Sequence, residues 1–143
     1  GIPCTSVASL GQTILVQGSI ESGTDGDRVD GYASENDLVM GTPSSSHTYG
    51  LQASRIAAEG DVLYAAWHSD SRVQRFDIES EEPLLELRLQ QHDDWFWGLS
   101  VVGDRVYVLA SMGEYKEYDG AGTLLRSGFL TSGFGSIFEC RAG

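Results

Sequence analysis

The densest group of side chains that could do chemistry is residues 91–97, which read QHDDWFW. Indole rings form flat platforms that bind sugars or cations, and the neighbouring acids and imidazole add hydrogen bonds and charge. In the alternative interpretation, the two tryptophans alternate into a core while the acids are solvated. The candidate ligand-binding residues here are His92, Asp93, Asp94, Trp95 and Trp97.

An aromatic residue recurs at two other places in the chain, in residues 47–50 and near residue 134. The recurrence favours a role in core packing, because equivalent positions of a repeat need similar side chains to fill them. However, lectins built from repeats generate equivalent ligand-binding sites in the same way. Both interpretations are open. His47, Tyr49 and Phe134 therefore join the candidate ligand-binding residues.

Signals for catalysis or a metal are weak. There is no Gly-x-Ser-x-Gly elbow and no glycine-rich loop before a helix. The three histidines, His47, His68 and His92, lie far apart in sequence. The calcium-like run at residues 25–31 has its third aspartate one position late. We assign no catalytic residue, metal or cofactor.

The elements that must position these residues belong to an internal repeat. Three units with a period of ~40–45 residues can be superposed, as in repeat folds. The superposition aligns Tyr32 with Phe76 and Tyr118, and Leu38 with Leu84 and Leu124. Short β-forming runs separated by Gly, Asp and Ser give about four strands in each unit. The predicted strands are 56–58, 62–67, 72–77 and 83–89 in the second unit and 99–102, 106–111, 114–119 and 123–127 in the third.

We therefore predict an all-β, β-propeller-like domain over residues 1–143, with three four-stranded antiparallel blades. The alternative is a β-trefoil, although the Gln-x-Trp-like signature of trefoils is absent. The connections at residues 91–97 and 47–50 would link successive blades. The approximate blades are 5–42, 53–90 and 97–128, followed by an extra strand at 135–141.

Residues 98–108 and 118–125 resemble blades of the NHL and YVTN kinds of propeller repeat, and residues 60–64 with 76–77 are similar. The resemblance covers residues 53–128 well and 7–50 weakly. It implies a propeller scaffold, which mostly serves as a binding platform and is sometimes an enzyme.

Three blades are fewer than the roughly 4–8 of a closed propeller, so two broad faces would be open. Two copies could close a six-bladed ring, or another propeller chain or the rest of a longer protein could supply blades. We expect open faces at residues 6–9 and 136–140. The chain starts at Gly1, which we interpret as a mature or excised form.

The formal charge of −12 argues against nucleic acid and anionic membranes as partners, because both require basic surfaces. No apolar run approaches the ~20 residues of a membrane helix. Two cysteines, Cys4 and Cys140, lie near the two ends. A disulfide between them would place the protein outside the cell or in another oxidising compartment.

These observations predict a non-enzymatic binding or assembly module, with contacts through inter-blade aromatics and open blade edges and with a glycan or a protein as ligand. One alternative is a propeller enzyme or enzyme subunit acting at the central opening through His92, Asp93 and Asp94. Another is a structural protein that self-assembles.

Overall fold

The structure is a computed structural model, and it describes residues 4–19, 27–49, 55–66, 71–91, 98–110 and 113–129. These residues form three antiparallel sheets of four strands, each sheet in sequential strand order. The first sheet comprises β1 (Cys4–Leu10), β2 (Thr13–Ser19), β3 (Asp27–Tyr32) and β4 (Ser45–Tyr49). The second comprises β5 (Arg55–Glu59), β6 (Val62–Ala66), β7 (Arg72–Asp77) and β8 (Leu87–Arg88). The third comprises β9 (Gly98–Val102), β10 (Arg105–Leu109), β11 (Glu114–Tyr118) and β12 (Leu124–Phe129).

The internal repeat is confirmed by the strand register. Ile14 pairs with Tyr32, Leu63 with Phe76, and Val106 with Tyr118, at the same place in each sheet. The hairpin turns before the second strands carry a glycine at φ between 57° and 60° in all three sheets. Glycine accepts this left-handed conformation without a Cβ clash. The all-β prediction with three four-stranded blades is therefore confirmed.

The first strands of the three sheets lie side by side, since β1 contacts β5 and β5 contacts β9. A direct link joins the first two, where the backbone N–H of Ile56 donates to Ser6 Oγ at 3.1 Å. The three sheets thus succeed one another with their first strands innermost, as the blades of a propeller do.

The core lies between successive sheets. We call the side of a sheet that faces the preceding sheet its front face, and the opposite side its back face. The front face of the second sheet packs on the back face of the first, and the residues of this layer are Leu15, Val29, Tyr49, Ile56, Ala58, Leu63, Ala65, Phe76 and Ile78. The front face of the third sheet packs on the back face of the second through Ala57, Ala66, Val73, Leu87, Leu89, Leu99, Val101, Val106, Val108 and Tyr118.

The second and third sheets also meet through the turn that precedes β12. Gly122 has φ +88°, and a Cβ there would lie 2.0 Å from the carbonyl oxygen of Arg88. Its own carbonyl accepts the backbone N–H of Gln90 at 2.9 Å. A residue with a side chain cannot approach the second sheet this closely, so glycine permits the contact.

One prediction about the first unit is wrong. Leu38 does not occupy a strand position like that of Leu124 in β12, because it lies in a short helix, α1 (Glu35–Met40), inserted between β3 and β4. Ser34 caps this helix by accepting the backbone N–H of Asp37, and Gly41 ends it in the left-handed conformation. Because of this insertion β4 comes later in the sequence, and the first sheet ends at Tyr49 and not at residue 42, the predicted end of the first blade.

The fourth strand of the second sheet is also shorter than predicted. Only Leu87–Arg88 forms a strand within residues 83–89, and Pro83 makes an isolated bridge to Phe76. Proline has no backbone N–H to donate to a ladder, which suits an edge position of this kind. None of the helices in the described ranges is long and apolar enough to span a membrane.

Candidate functional site

The predicted site residues His47 and Tyr49 lie in β4 and not in a connection between sheets. Both point to the second sheet, where they border a cavity of about 120 Å³ between the first two sheets. His47 Nδ1 lies 2.8 Å from Glu81 Oε1, and Glu81 has φ +63° in the turn that follows β7. This hydrogen-bonded contact joins the outer strand of one sheet to a turn of the next.

Tyr49 is almost fully enclosed and is 3% exposed. Its hydroxyl donates to the carbonyl of Ile78 at 3.3 Å, and its ring lies 4.9 Å from that of Phe76 at a tilt of 54°. Burial, with the negative charge of Glu81 nearby, raises the pKa of Tyr49 to about 12. The contacts of Tyr49 and His47 hold two sheets together, and ligand binding by either residue stays a prediction.

The turn beside this cavity is fixed by Asp77, whose carboxylate accepts the backbone N–H and the hydroxyl of Ser80. These two hydrogen bonds lower the pKa of Asp77 below its usual value. Asp119 occupies the matching turn of the third sheet and accepts the N–H groups of Thr123 and Ala121, which lower its pKa likewise. Both carboxylates therefore stabilise turns through hydrogen bonds.

The other predicted ligand-binding residues, His92, Asp93, Asp94, Trp95, Trp97 and Phe134, lie outside the described residues. Cys140 lies outside them as well, while the backbone of Cys4 begins β1. The disulfide and the extra strand at 135–141 therefore stay predictions. Among the described residues no group of three or more His, Cys, Asp or Glu could hold a metal ion.

The larger concavity is an open groove of about 990 Å³ along the innermost strands β1, β5 and β9. Its walls are mostly small or apolar side chains, such as Ala8, Ala57 and Val101, with Leu38 of α1 at one side. It lies where the central opening of a propeller would be. A groove of this kind offers shape but few charged groups.

The front face of the first sheet carries the core positions of the repeat with no sheet in front of them within the described residues. Its row Ser9–Ile14–Tyr32 matches Ala58–Leu63–Phe76 and Val101–Val106–Tyr118 in register. The latter two rows are buried, with exposures of 8% or less. In the first sheet Ser9 is exposed and Ile14 and Tyr32 are half-buried, while Val7 beside them is 47% exposed.

The back face of the third sheet likewise has no sheet against it among the residues that the structure describes, and it has a polar row across three strands. Tyr107 donates its hydroxyl to Glu117 Oε1 at 2.9 Å, and Arg126 lies 3.2 Å from Glu117 Oε2. The hydrogen bond to Glu117 raises the pKa of Tyr107. Tyr115 lies on the same face, its ring against Gly128, where a Cβ would lie 2.8 Å away.

This back-face row is a set of residues that the sequence prediction missed. The alternation of Glu114-Tyr115-Lys116-Glu117-Tyr118 gave a signal for it, since alternate residues of a strand point to opposite faces. Tyr115 and Glu117 belong to the open face, and Lys116 and Tyr118 to the buried one.

Known structures share this arrangement of sheets. The glutaminyl cyclase of Myxococcus xanthus superposes with a TM-score of 0.69 at 12% identity, over 89% of this chain and 53% of that one. The computationally designed Ika4 protein gives 0.55 at 18%, over 89% and 72%, and the designed Ika8 protein gives 0.54 at 18%, over 87% and 36%. These neighbours are propeller proteins. The fold is that of a β-propeller.

The chain spans about a third of the designed Ika8 protein and about half of the cyclase. No protein-family model matches the sequence, and no curated protein matches it. At these identities the likeness concerns the fold alone, and a β-propeller fold serves enzymes and non-enzymes.

Proposed function

We propose that this chain is a non-enzymatic binding and assembly module whose contact surfaces are the open faces of its first and third sheets. The observation that carries the proposal is the front face of the first sheet. Ile14 and Tyr32 of this face occupy positions whose counterparts in the other two sheets are buried in the core. In the first sheet both residues are only half-buried. Apolar surface of this kind on a repeat unit marks a place for a neighbouring unit.

The sequence supports this function in two further ways. The resemblance of residues 98–108 and 118–125 to NHL and YVTN blades implies a platform for binding. The excess of 21 acids over 9 bases favours a protein or neutral glycan as ligand over a polyanion. A secreted protein with a Cys4–Cys140 disulfide and a glycan held by Trp95 and Trp97 would be one form of this function.

A photo-crosslinking amino acid tests the proposal at position 16. Val16 lies on the front face of the first sheet, in register with the buried residues Ala65 and Val108. We expect irradiation of cells that make this variant to give a covalent adduct that is visible on denaturing electrophoresis. The matched control carries the same amino acid at Leu85, which is 79% exposed and lies in the segment between β7 and β8.

Only the variant at position 16 should give an adduct. Absence of an adduct at position 16, or equal adducts at both positions, would contradict the proposed function.

A further inference from the structure

We infer that the cavity between the first two sheets binds a primary ammonium group on a short alkyl chain, carried either by a free amine or by the side chain of a lysine. This goes beyond the proposed function, because the cavity lies between two sheets of the chain and not on an open face. Both of its walls belong to the described residues, so it does not depend on what packs against the first and third sheets.

The size of the cavity sets the size of the ligand. Its volume is about 120 Å³, which corresponds to about four water molecules at ~30 Å³ each. An apolar cavity of about 150 Å³ accepts benzene, which has six non-hydrogen atoms. By proportion this cavity holds about five such atoms. The n-butylammonium ion has that size, and so has the lysine side chain beyond Cα.

The most buried part of the lining is apolar and suits an alkyl chain. It consists of Leu15 and Val29 of the first sheet and Leu63 of the second, all of which are buried. These side chains belong to the core layer between the two sheets. An alkyl chain placed against them loses its contact with water, which favours an alkylated ligand over a bare ion.

The outer part of the lining is polar and offers acceptors to an ammonium group. Ser45 of β4 and Glu79, which follows β7, are exposed, and Thr13 of β2 is half-buried. Within the described part of the chain, none of these three side chains has a hydrogen-bond or ion-pair partner. An ammonium group has three N–H donors and no acceptor. Two hydroxyl oxygens and a carboxylate therefore match it in number and in kind.

A glycine brings the two hydroxyl-bearing residues to one wall. A Cβ at Gly31 of β3 would clash with Ser45 Oγ and would lie 3.4 Å from Thr13 Cγ2. Because Gly31 has no side chain, Ser45 and Thr13 approach each other across the backbone of β3 from the strands on either side of it. The absence of a Cβ thus shapes the polar wall of the cavity.

The electrostatic field at the cavity is negative. Burial is the first cause that raises the pKa of Tyr49, which also lines the cavity, and the charges of three acids follow: Glu81, Asp77 and Glu79. Among the described residues that line the cavity there is no lysine or arginine to offset these charges. A negative field attracts a cation and repels an anion, so it favours a positively charged ligand.

Of these three acids, Glu79 is the one available to a ligand. The carboxylate of Asp77 accepts two hydrogen bonds from Ser80. Glu81 Oε1 lies 2.8 Å from His47 Nδ1. Glu79 lines the cavity and is exposed, so its carboxylate can pair with the ammonium group while the alkyl chain lies against the apolar residues.

Two-dimensional ¹H–¹⁵N NMR of this chain tests the site. Titration with n-butylammonium chloride at constant pH and ionic strength should shift the amide signals of residues around the cavity, such as Thr13, Val29 and Ser45. We expect a Kd in the millimolar range, as suits a ligand of about five atoms. Butan-1-ol has the same chain without the charge and should bind at least ~10-fold more weakly, because it cannot form a charge-assisted hydrogen bond with Glu79 in the same way.

Three variants locate the binding. Glu79→Gln removes the charge at an exposed position and should weaken n-butylammonium binding at least ~10-fold. Glu82→Gln is the matched control, because Glu82 lies in the same turn, is exposed and does not line the cavity, and its Kd should equal that of the wild type. Thr13→Leu fills part of the cavity and should abolish binding of both probes.

A further probe identifies the source of the ammonium group. Nα-acetyllysine amide carries the same group and chain on a peptide-like unit. Binding as tight as that of n-butylammonium would identify the ligand as a lysine of a polypeptide, and exclusion of this probe alone would identify it as a free amine. The inference is overturned if n-butylammonium shifts no signal around the cavity, if butan-1-ol binds as tightly, or if Glu79→Gln or Thr13→Leu binds n-butylammonium like the wild type.

Discussion

The front faces of the first and third sheets carry matching positions and have opposite surroundings. In the third sheet Val106 and Tyr118 are 1% and 0% exposed, because the back face of the second sheet covers them. In the first sheet Ile14 and Tyr32 pair in the same register and are half-buried. The burial of these positions therefore depends on whether another sheet packs against the face that carries them.

A charge placed at one matched position in each sheet should have the largest effect. Val106 is 1% exposed, and Ile14 has the same place in the first sheet. Val106→Asp should lower the free energy of unfolding by about 4 kcal/mol or more, because it buries an unpaired charge. Ile14→Asp should cost about 1 kcal/mol or less in dilute protein.

Urea unfolding followed by tryptophan fluorescence measures both variants. It should be done at protein concentrations low enough for single chains, so that association does not add to stability. Equal losses in the two variants would mean that the two faces are equally covered.

Truncation of the matched aromatics should also destabilise the covered face more than the open face. Phe76→Ala removes a ring that is 5% exposed and lies against Tyr49, so we expect a loss of about 3–5 kcal/mol. Tyr32→Ala removes the ring at the same position of the open face and should cost about 1 kcal/mol. Thermal unfolding of both variants checks this order, and a larger loss for Tyr32→Ala would contradict it.

Alkaline pH gives the smallest of the three effects and probes the covered side of the first sheet. Since the pKa of Tyr49 rises from 10.0 to about 12, its folded state holds the proton more tightly than the unfolded state. The stability from this residue is fully present below pH 10 and is lost as the pH rises toward 12. Its size is on the order of 2 kcal/mol.

Unfolding measured from pH 9 to 12 in the wild type and in Tyr49→Phe isolates this residue. Phenylalanine keeps the ring contact with Phe76 and has no proton to lose, so the difference between the two curves should shrink with rising pH. Parallel curves would show that the pKa of Tyr49 is the same in the folded and unfolded states.

Much of the second and third sheets could be predicted from the sequence. The alternation of apolar residues gave β7 at Arg72–Asp77 with its observed ends, and the Gly103-Asp104 pair marked the hairpin between β9 and β10. Both depend on local chemistry, namely β-forming residues in alternation and glycine at positive φ.

The first sheet was harder because the repeat alignment and the local signals disagreed. Ser34 with Asp37 is a capping pair, and Gly41 is a typical helix end, so α1 was readable from the sequence. The alignment of Leu38 with Leu84 overrode that signal. The burial of His47 and Tyr49 was not readable, because it depends on Glu81 and Ile78 in another sheet.

The only lysine of this chain, Lys116, lies between the second and third sheets, where it is 7% exposed and its amine donates to the backbone carbonyl of Gln91. A reagent that acylates lysine side chains can reach this amine only when the two sheets part. The rate at which Lys116 is acylated would therefore report how often the contact between the second and third sheets opens, without any engineered label.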